Sequence, residues 1–382
     1  MIRRLALLAL LICFIVGCKR APMFAPILTA TLPPTATATP APTRTSTQIP
    51  MPTFASTSTL IPSPTATPTF TPGPAYTGRV VIADYMMWYD PPIFDGTITF
   101  DVPSAGPYNS DDPATIQRHL ALAQQACLNG LAPHWYGIHD ERTTNNIDQL
   151  LAMSANTNLQ HAVLFLGNIL PDADEALLID SINYLIANWA NHPNYLHIDG
   201  RPVILFVDMN RPWGNDSEAV RGWERIRAAT DPGHTTLWMA EGLFTYYNPL
   251  FEGLYVYRLD HRDYPQAWLK QPRWARALRD VEARAGLKLY FADSIAPGFD
   301  DTRAANAPID YRIPAPPFAR DRRNGQYYRD TYSVTTDTHG DFMIVKSLNE
   351  WIEGTAIEPG LTYGDLYVNL TCELANDYRS HK

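Results

Sequence analysis

Positive charge is scarce in this chain: 30 lysines and arginines stand against 39 aspartates and glutamates, a net charge of −9. That balance argues against nucleic acid or an anionic membrane surface as a partner held by charge. Cysteine is scarcer still, with four residues and no Cys-x-x-Cys. No His-Glu-x-x-His and no histidine cluster makes up for it, so no metal site is indicated and no cofactor is expected. The first strand-like run is not followed by Gly-x-Gly-x-x-Gly, which counts against a dinucleotide site. What the chain does hold is aromatic: nine tryptophans and twenty tyrosines. Such rings fill cores first, and a surplus suits carbohydrate, whose C–H faces stack on flat rings.

At the N-terminus two arginines precede an apolar run from Leu5 to Val16, too short to span a bilayer and typical of a secretory signal. The run closes on Ile15-Val16-Gly17-Cys18, which resembles a bacterial lipobox. That resemblance implies cleavage before Cys18, lipidation of its thiol and new amino terminus, and a membrane contact made through the lipid alone. An ordinary signal with an incidental cysteine is the alternative. Residues 1–17 therefore read as a lipoprotein signal. Residues 18–77 read as the lipidated cysteine and a Pro/Thr-rich, disordered tether that cannot bury a core. Residues 78–382 form the folded domain, long enough for one large core, and a monomer is expected.

Within that domain eight short β-branched or aromatic runs recur with helical stretches between them. They begin at Arg79, Leu131, His161, Pro202, Thr235, Gly253, Leu287 and Phe342. Buried apolar strands alternating with helices point to a parallel sheet, and eight repeats favour an α/β fold closed as a (β/α)8 TIM barrel. Such a barrel sets its first and last helices side by side. Cys127 and Cys372, each in a helical pattern, could then pair outside the cytoplasm or remain two separate buried thiols. Chemistry in a barrel sits where strands end. Those ends supply Trp88, Tyr89, His134, Trp135, Tyr136, Asp208, Glu241, Tyr257, Asp293, Asn349 and Glu350. Glu353 lies one turn of chain beyond Glu350 and reaches the same mouth. Asp300 and Asp301 read as loop caps.

The stretch "SLNEWIEGTAIEP" (Ser347 to Pro359) resembles the signature that ends the last barrel strand in glycoside hydrolase family 99, the endo-α-mannosidases. "MWYDPPIFDG", "HWYG", "NHPNYLHIDGRPVILFVD", "FEGLYVYRL" and "DLYVNLT" extend the likeness over nearly all of residues 78–382. The resemblance implies hydrolysis within α-mannan or a similar α-linked oligosaccharide, with retention at the anomeric carbon. Carried onto this chain, Glu350 would act as base on the sugar 2-hydroxyl, which attacks C1 to give a 1,2-anhydro sugar. Glu353 would protonate the leaving oxygen and then activate water. Burial, Trp351 and a charged Glu350 should keep Glu353 protonated. Asn349 would orient a glutamate or bind a sugar hydroxyl. Trp351, Tyr257, Trp88, Tyr89, His134, Trp135 and Tyr136 are the expected substrate contacts.

The chain also departs from the family pattern. Tyr85-Met86-Met87-Trp88-Tyr89 stands for Tyr-Tyr-x-Trp-Tyr, and "FLGN" replaces the third strand's Ile-Glu-Pro-Tyr, so an acidic residue is missing. The Arg-Pro-Trp-Asn that follows a Pro-Gly-Tyr-x-Asp-Thr loop in the family is absent, which leaves open whether Arg303 or Arg312 takes its place, and Ile352 replaces a histidine. Hydrolysis of another α-glycan such as an α-glucan, or glycan capture without catalysis, are the alternatives these changes raise.

Overall fold

The expected runs become eight parallel strands that close into a ring. The computed structural model describes residues 79–242, 244–260, 270–304 and 316–380. The expected leader, Cys18 and the tether up to residue 77 lie outside the described residues. The strands are β1 (Val80–Tyr85), β2 (Gly130–Trp135), β3 (Val163–Phe165), β4 (Arg201–Phe206), β5 (Leu237–Glu241), β6 (Gly253–Tyr255), β7 (Tyr290–Ile295) and β8 (Phe342–Val345). Each pairs with its neighbours in parallel, and β1 against β8 (Val80 opposite Phe342) closes the ring. A two-residue strand, His197–Ile198, flanks β4 antiparallel. The fold is a (β/α)8 barrel.

Side-chain period two sorts each strand into two faces. Val80, Ile82, Ala132, Leu164, Phe342 and Ile344 belong to one buried cluster that fills the barrel interior. Alternate residues such as Val81, Ala83, Leu131 and Phe165 belong to a second cluster shared with the helices. Those helices are α1 (Pro113–Gln125), α2 (Glu141–Met153), α3 (Glu175–Asn188), α4 (Asp216–Thr230), α5 (Lys270–Ala285), α6 (Gln326–Ser333) and α7 (Leu366–Ser380). The first four start alike: Asp112, Asp140, Asp174 and Asn215 each accept a backbone N–H from the first turn. Each such cap contributes about 1 kcal/mol.

Two expectations need correcting. Among the described residues no α-helix separates β5 from β6; only a 3-10 turn, Thr245–Tyr247, does. A helical crossover needs on the order of a dozen residues, and this link is short and interrupted by Pro249. Asp293 does not reach the mouth either. The strand runs on to Ile295, and parity turns Asp293 outward, where it is fully buried and accepts from Tyr378 Oη at 2.9 Å and from Thr338. Burial raises its carboxyl to about 7, against those two donors and Arg79.

Cys127 and Cys372 form a disulfide across 245 residues, joining the end of α1 to α7. Because α1 leads into the start of β2, the bond lies at the N-terminal face of the barrel. The chemistry-bearing strand ends lie at the opposite face.

Candidate active site

The loop after β8 is folded tightly enough to act as a rigid plate. Leu348 donates to Asp84 O at 2.7 Å, Ser347 to Thr355 O at 3.0 Å, and Ile357 back to Ser347 O at 3.0 Å. Asn349 clamps this plate to the end of β1: its Oδ1 accepts from Met86 N at 2.8 Å and its Nδ2 donates to Met86 O at 2.9 Å. Fully buried and so engaged, Asn349 orients the loop and does not bind a sugar hydroxyl. Trp351 is likewise a pillar of the loop, 3% exposed, with Nε1 donating to Glu358 Oε2 at 2.9 Å. It does not line the cleft as expected.

Glu358, the third glutamate of the motif, is buried and also meets Tyr108 Oη (3.1 Å) and His119 Nε2 (3.1 Å). Burial would raise its carboxyl, but His119, Trp351 and Arg118 overcome that and hold it below the usual range. Sequence reasoning missed this anchor. A third glutamate five residues beyond Glu353 was its only signal.

Glu350 and Glu353 sit on one turn of that plate. Glu350 Oε1 accepts three hydrogen bonds, from Tyr89 Oη (2.9 Å), Ile352 N (3.0 Å) and Glu353 N (3.3 Å). Its own N–H donates to Ser347 Oγ at 2.7 Å. Donors of this kind stabilise a carboxylate. All three fall on Oε1, which leaves Oε2 available. Burial raises the Glu350 carboxyl against Tyr89, His134 and the two backbone donors.

Glu353 has no such cradle. Its side chain is 31% exposed, with Arg258 Nη1 3.9 Å away. Burial, with help from the Glu350 charge, raises it to about 7 against the pull of Arg258 and Lys346. Two carboxyls that close do not ionise together easily, and the hydrogen bonds decide which one does. The three donors on Oε1 favour the ionised form at Glu350, and Glu353 has none of them.

Beneath them, one inward position above Ile82, Ala132 and Ile344, the barrel interior turns polar. Asp84, His134 and Lys346 occupy that level, with Tyr257 beyond the end of β6. Lys346 Nζ pairs with Asp84 Oδ2 and lies 3.3 Å from the centroid of the Tyr257 ring. His134 Nε2 is 3.6 Å from the same Asp84 oxygen. Burial pulls the His134 imidazole down to about 4, against Glu350, so it is neutral at pH 7. Burial also pulls the Lys346 ammonium down, against Glu353 and Glu350. Burial first, then Glu353 and Glu350, hold the Tyr257 phenol protonated.

The remaining expected residues separate by face. Tyr89 is fully buried and grips both Glu350 and Trp351 N (3.0 Å), so it positions the base and is no sugar platform. Trp88 is half-buried, its ring 4.4 Å from that of Tyr89. Trp135 is a correction: fully buried on the outward face, it packs on Trp189 (4.8 Å) and donates to Thr144 Oγ1. Parity explains this, since His134 takes the inward position of the same strand. Tyr136 is half-buried against the barrel interior.

Asp300 accepts from Thr302, and Asp301 from Phe318, as loop caps. Arg303 donates to Gly96 O and Thr99 O, and Arg312 lies outside the described residues. Asn168, in the altered third strand end, donates to Val207 O and Asp208 O. Arg258, Asp84 and Lys346 are the site residues not anticipated. Among the described residues no three histidine, cysteine or acidic side chains converge to hold a metal.

The sequence matches the Glycosyl hydrolase family 99 profile over residues 94–370. It is 26% identical over 306 residues to the glycoprotein endo-alpha-1,2-mannosidase of Mus musculus, covering 73% of this chain and 60% of that protein. To the glycoprotein endo-alpha-1,2-mannosidase-like protein of Homo sapiens it is 24% identical, covering 68% of this chain and 57% of the relative. The chain thus spans about 60% of the length of these curated relatives. The family 99 endo-alpha-mannosidase of Bacteroides thetaiotaomicron shares the barrel with a TM-score of 0.64 at 21% identity, over 78% of this chain and 97% of that one. The profile spans well over half of the chain and takes in the whole plate that bears Glu350 and Glu353: the chain belongs to glycosyl hydrolase family 99.

Proposed function

We propose that the protein hydrolyses internal α-mannosidic bonds with retention, without an enzyme nucleophile. The observation that carries this reading is the contrast on one turn: a Glu350 whose Oε1 accepts three hydrogen bonds beside a Glu353 that has none of those donors and is raised to about 7. A base and an acid with separated proton affinities are what a two-carboxyl glycosidase requires. Glu350 Oε2 takes the proton of the sugar 2-hydroxyl, whose oxygen forms the bond to C1 as the C1–leaving-oxygen bond breaks. Glu353 gives its proton to that leaving oxygen. Water then opens the 1,2-anhydro sugar at C1, with Glu353 taking the water proton and Glu350 returning one to O2. In an α-mannoside O2 and the leaving group are trans and axial, which suits the first displacement, and two displacements give retention. The similarity to the glycoprotein endo-alpha-1,2-mannosidase of Mus musculus supports the choice of sugar.

One observation favours a second reading, cleavage of a different α-glycan. The third strand end offers Leu166 where the family resemblance implies an acid, and Asn168, where it implies a tyrosine, is already bonded to two carbonyls. Product analysis on α-mannans and α-glucans, with Glu353→Gln as the control, decides between them. Cleavage of mannans that collapses in the variant supports the first reading. Cleavage of glucans alone retires it. Tight glycan binding without product makes the protein a capture module.

The reading includes the protein's place: lipid-anchored through Cys18 outside the cytoplasm, on a Pro/Thr-rich tether. The Ile15-Val16-Gly17-Cys18 stretch and the Cys127–Cys372 disulfide, a bond of oxidising compartments, support it. Metabolic labelling with a fatty acid, lost in Cys18→Ala, tests it.

A further inference from the structure

Asp208 and Glu241, two strand-end residues expected at the mouth, take no part in the plate that bears Glu350 and Glu353. They meet on the far side of the ring, since β4 and β5 lie opposite β8 and β1. There they line a hollow of about 210 Å³ together with Asn210, Phe244, Lys270 and Trp274. Asp208 and Asn210 follow β4, Glu241 ends β5, Phe244 comes after it, and Lys270 and Trp274 belong to the first turns of α5. The hollow is therefore at the C-terminal face of the barrel, the face that also carries the two glutamates.

Its polar wall is held in place by the chain around it. Asp208 adopts the left-handed region of backbone space, with φ 49°. Its N–H donates to Glu241 Oε2 at 3.1 Å, its carbonyl accepts from Asn168 Nδ2 at 3.1 Å, and its carboxylate pairs with Arg211 at 3.0 Å. A residue other than glycine held there costs free energy, and such positions cluster at ligand clamps. Asn210 Oδ1 accepts from Tyr247 Oη at 2.9 Å, which ties the turn after β5 to the end of β4 and leaves the Asn210 Nδ2 to donate. Parity turns Glu241 inward, because Leu237 and Met239 of the same strand fill the barrel interior. Its Oε2 is engaged by Asp208, and its Oε1 accepts no hydrogen bond among the described residues.

The apolar wall comes from the one link that lacks a helix. In place of a helix, the turn after β5 presents aromatic rings: Phe244 and Tyr246 are 40% and 44% exposed, with centroids 5.2 Å apart. Large rings left open beside a hollow mark a binding surface more often than a merely wetted one. A flat ring for C–H faces, with a carboxylate oxygen and an amide for hydroxyls, is a set of groups that suits a pyranose. The volume is below that of pockets for drug-sized ligands, which fits a single sugar ring. Lys270 in the same wall opposes a cation there.

We propose that this hollow is a distal subsite for one pyranose of the same α-linked glycan, with Phe244 as its platform and Glu241 Oε1 and Asn210 Nδ2 as partners of its hydroxyls. A chain cut at an internal bond lies across the mouth, so its remote units reach the side opposite the plate. Arg258, 3.9 Å from Glu353, also sets its charge against the Glu241 carboxyl. The inference rests on the reading of the protein as a hydrolase of internal α-glycosidic bonds.

Substrate length reads such a subsite, because binding energy from a remote unit appears only when the chain is long enough to deliver it. On ladders of α-mannan and α-glucan oligosaccharides, the parent's kcat/KM rises with length on the glycan it cleaves. Phe244→Ala lowers the ratio of the longest to the shortest substrate about fivefold, the loss of one stacked ring. Glu241→Gln, which keeps an acceptor for Asp208 N, lowers it about threefold or more. Phe244→Trp retains the ratio, whereas Phe244→Leu, apolar without a flat face, does not.

Melting curves check folding, and if Glu241→Gln does not fold, Phe244→Ala at its exposed position decides alone. Equal losses on every length, an unchanged ratio in the variants, or a parent indifferent to length overturn the inference. Calorimetric binding of the longest oligosaccharides to Glu353→Gln, with and without Phe244→Ala, needs no turnover. Binding that weakens about fivefold on loss of the ring, in a protein that cleaves no α-glycan, keeps the subsite and removes the hydrolase reading. Cleavage of internal bonds with a length profile that the variants leave unchanged does the reverse.

Discussion

Replacing Tyr89 by phenylalanine removes a single oxygen and two hydrogen bonds. That hydroxyl donates to Glu350 Oε1 at 2.9 Å and accepts from Trp351 N at 3.0 Å, in a position with no exposure. A hydrogen bond to a charged group contributes about 1.5–3 kcal/mol, and an orphaned buried N–H costs about 1–3 kcal/mol. Some relaxation is available because Glu350 keeps its two backbone donors. The net loss of stability is then about 2 kcal/mol, and Tm falls by roughly 4 °C for a domain of this size.

The same hydroxyl favours the ionised form of Glu350. Its removal raises the affinity of that carboxyl for a proton, so the acidic limb of kcat/KM moves to higher pH. At neutral pH kcat/KM falls by about tenfold or more, the equivalent of one charge-assisted hydrogen bond in the transition state. Calorimetry and a pH–rate profile from pH 4 to 9 are sufficient. A variant whose Tm, acidic limb and neutral rate all match the parent's refutes the placement of Tyr89 as the support of the base.

Three further outcomes follow from the same geometry. Glu358→Ala breaks a buried cluster and leaves His119, Trp351 Nε1 and Tyr108 Oη without their acceptor; stability falls by about 3 kcal/mol and kcat drops more than KM rises. Because the folded carboxyl of Glu358 is held low, its contribution is present above the unfolded carboxylate range and is lost as pH falls through the folded value. The parent's Tm should therefore decline in acid more steeply than that of Glu358→Gln. Cys127→Ser, or reduction, removes a link spanning 245 residues and lowers stability by about 2–5 kcal/mol, while kcat at 25 °C stays unchanged because the bond lies at the far face. Trp135→Phe lowers Tm but leaves KM for the glycan where it was, since that ring packs on Trp189 and not on the cleft; a rise in KM alone contradicts its outward placement.

The barrel was legible because its strands are unusually uniform. Runs such as "PVILFVD" and "FMIVK" are apolar on both faces, as only strands buried between a barrel interior and a helical shell can be. Glu350 and Glu353 were legible because they form a compact motif at a strand end. The face of each rim residue was not. His134 and Trp135 are adjacent and both plausible at a mouth, and only the register, with Ala132 inward, sends one to the cleft and the other to the helices. Lys346 and Asp84 were hidden for a related reason: each extends an apolar strand by one inward position, and their meeting depends on β1 lying beside β8. The roles of Asn349 and Glu358 rest on contacts to Met86 and His119 more than two hundred residues away, which no local pattern encodes.

The claim on which the account depends is that Glu353 hands its proton to the departing oxygen while Glu350 drives the attack of O2. Single-turnover release measured in Glu353→Gln, with an α-mannan fragment beside an α-mannoside bearing a nitrophenol-type leaving group, tests it most directly. A leaving group that departs unaided no longer needs the acid. The account predicts that the variant loses about a thousandfold or more on the glycan and releases the activated leaving group at a rate near the parent's, whereas Glu350→Gln is slow on both. Equal losses on the two substrates in Glu353→Gln, or rapid release in Glu350→Gln, contradict it.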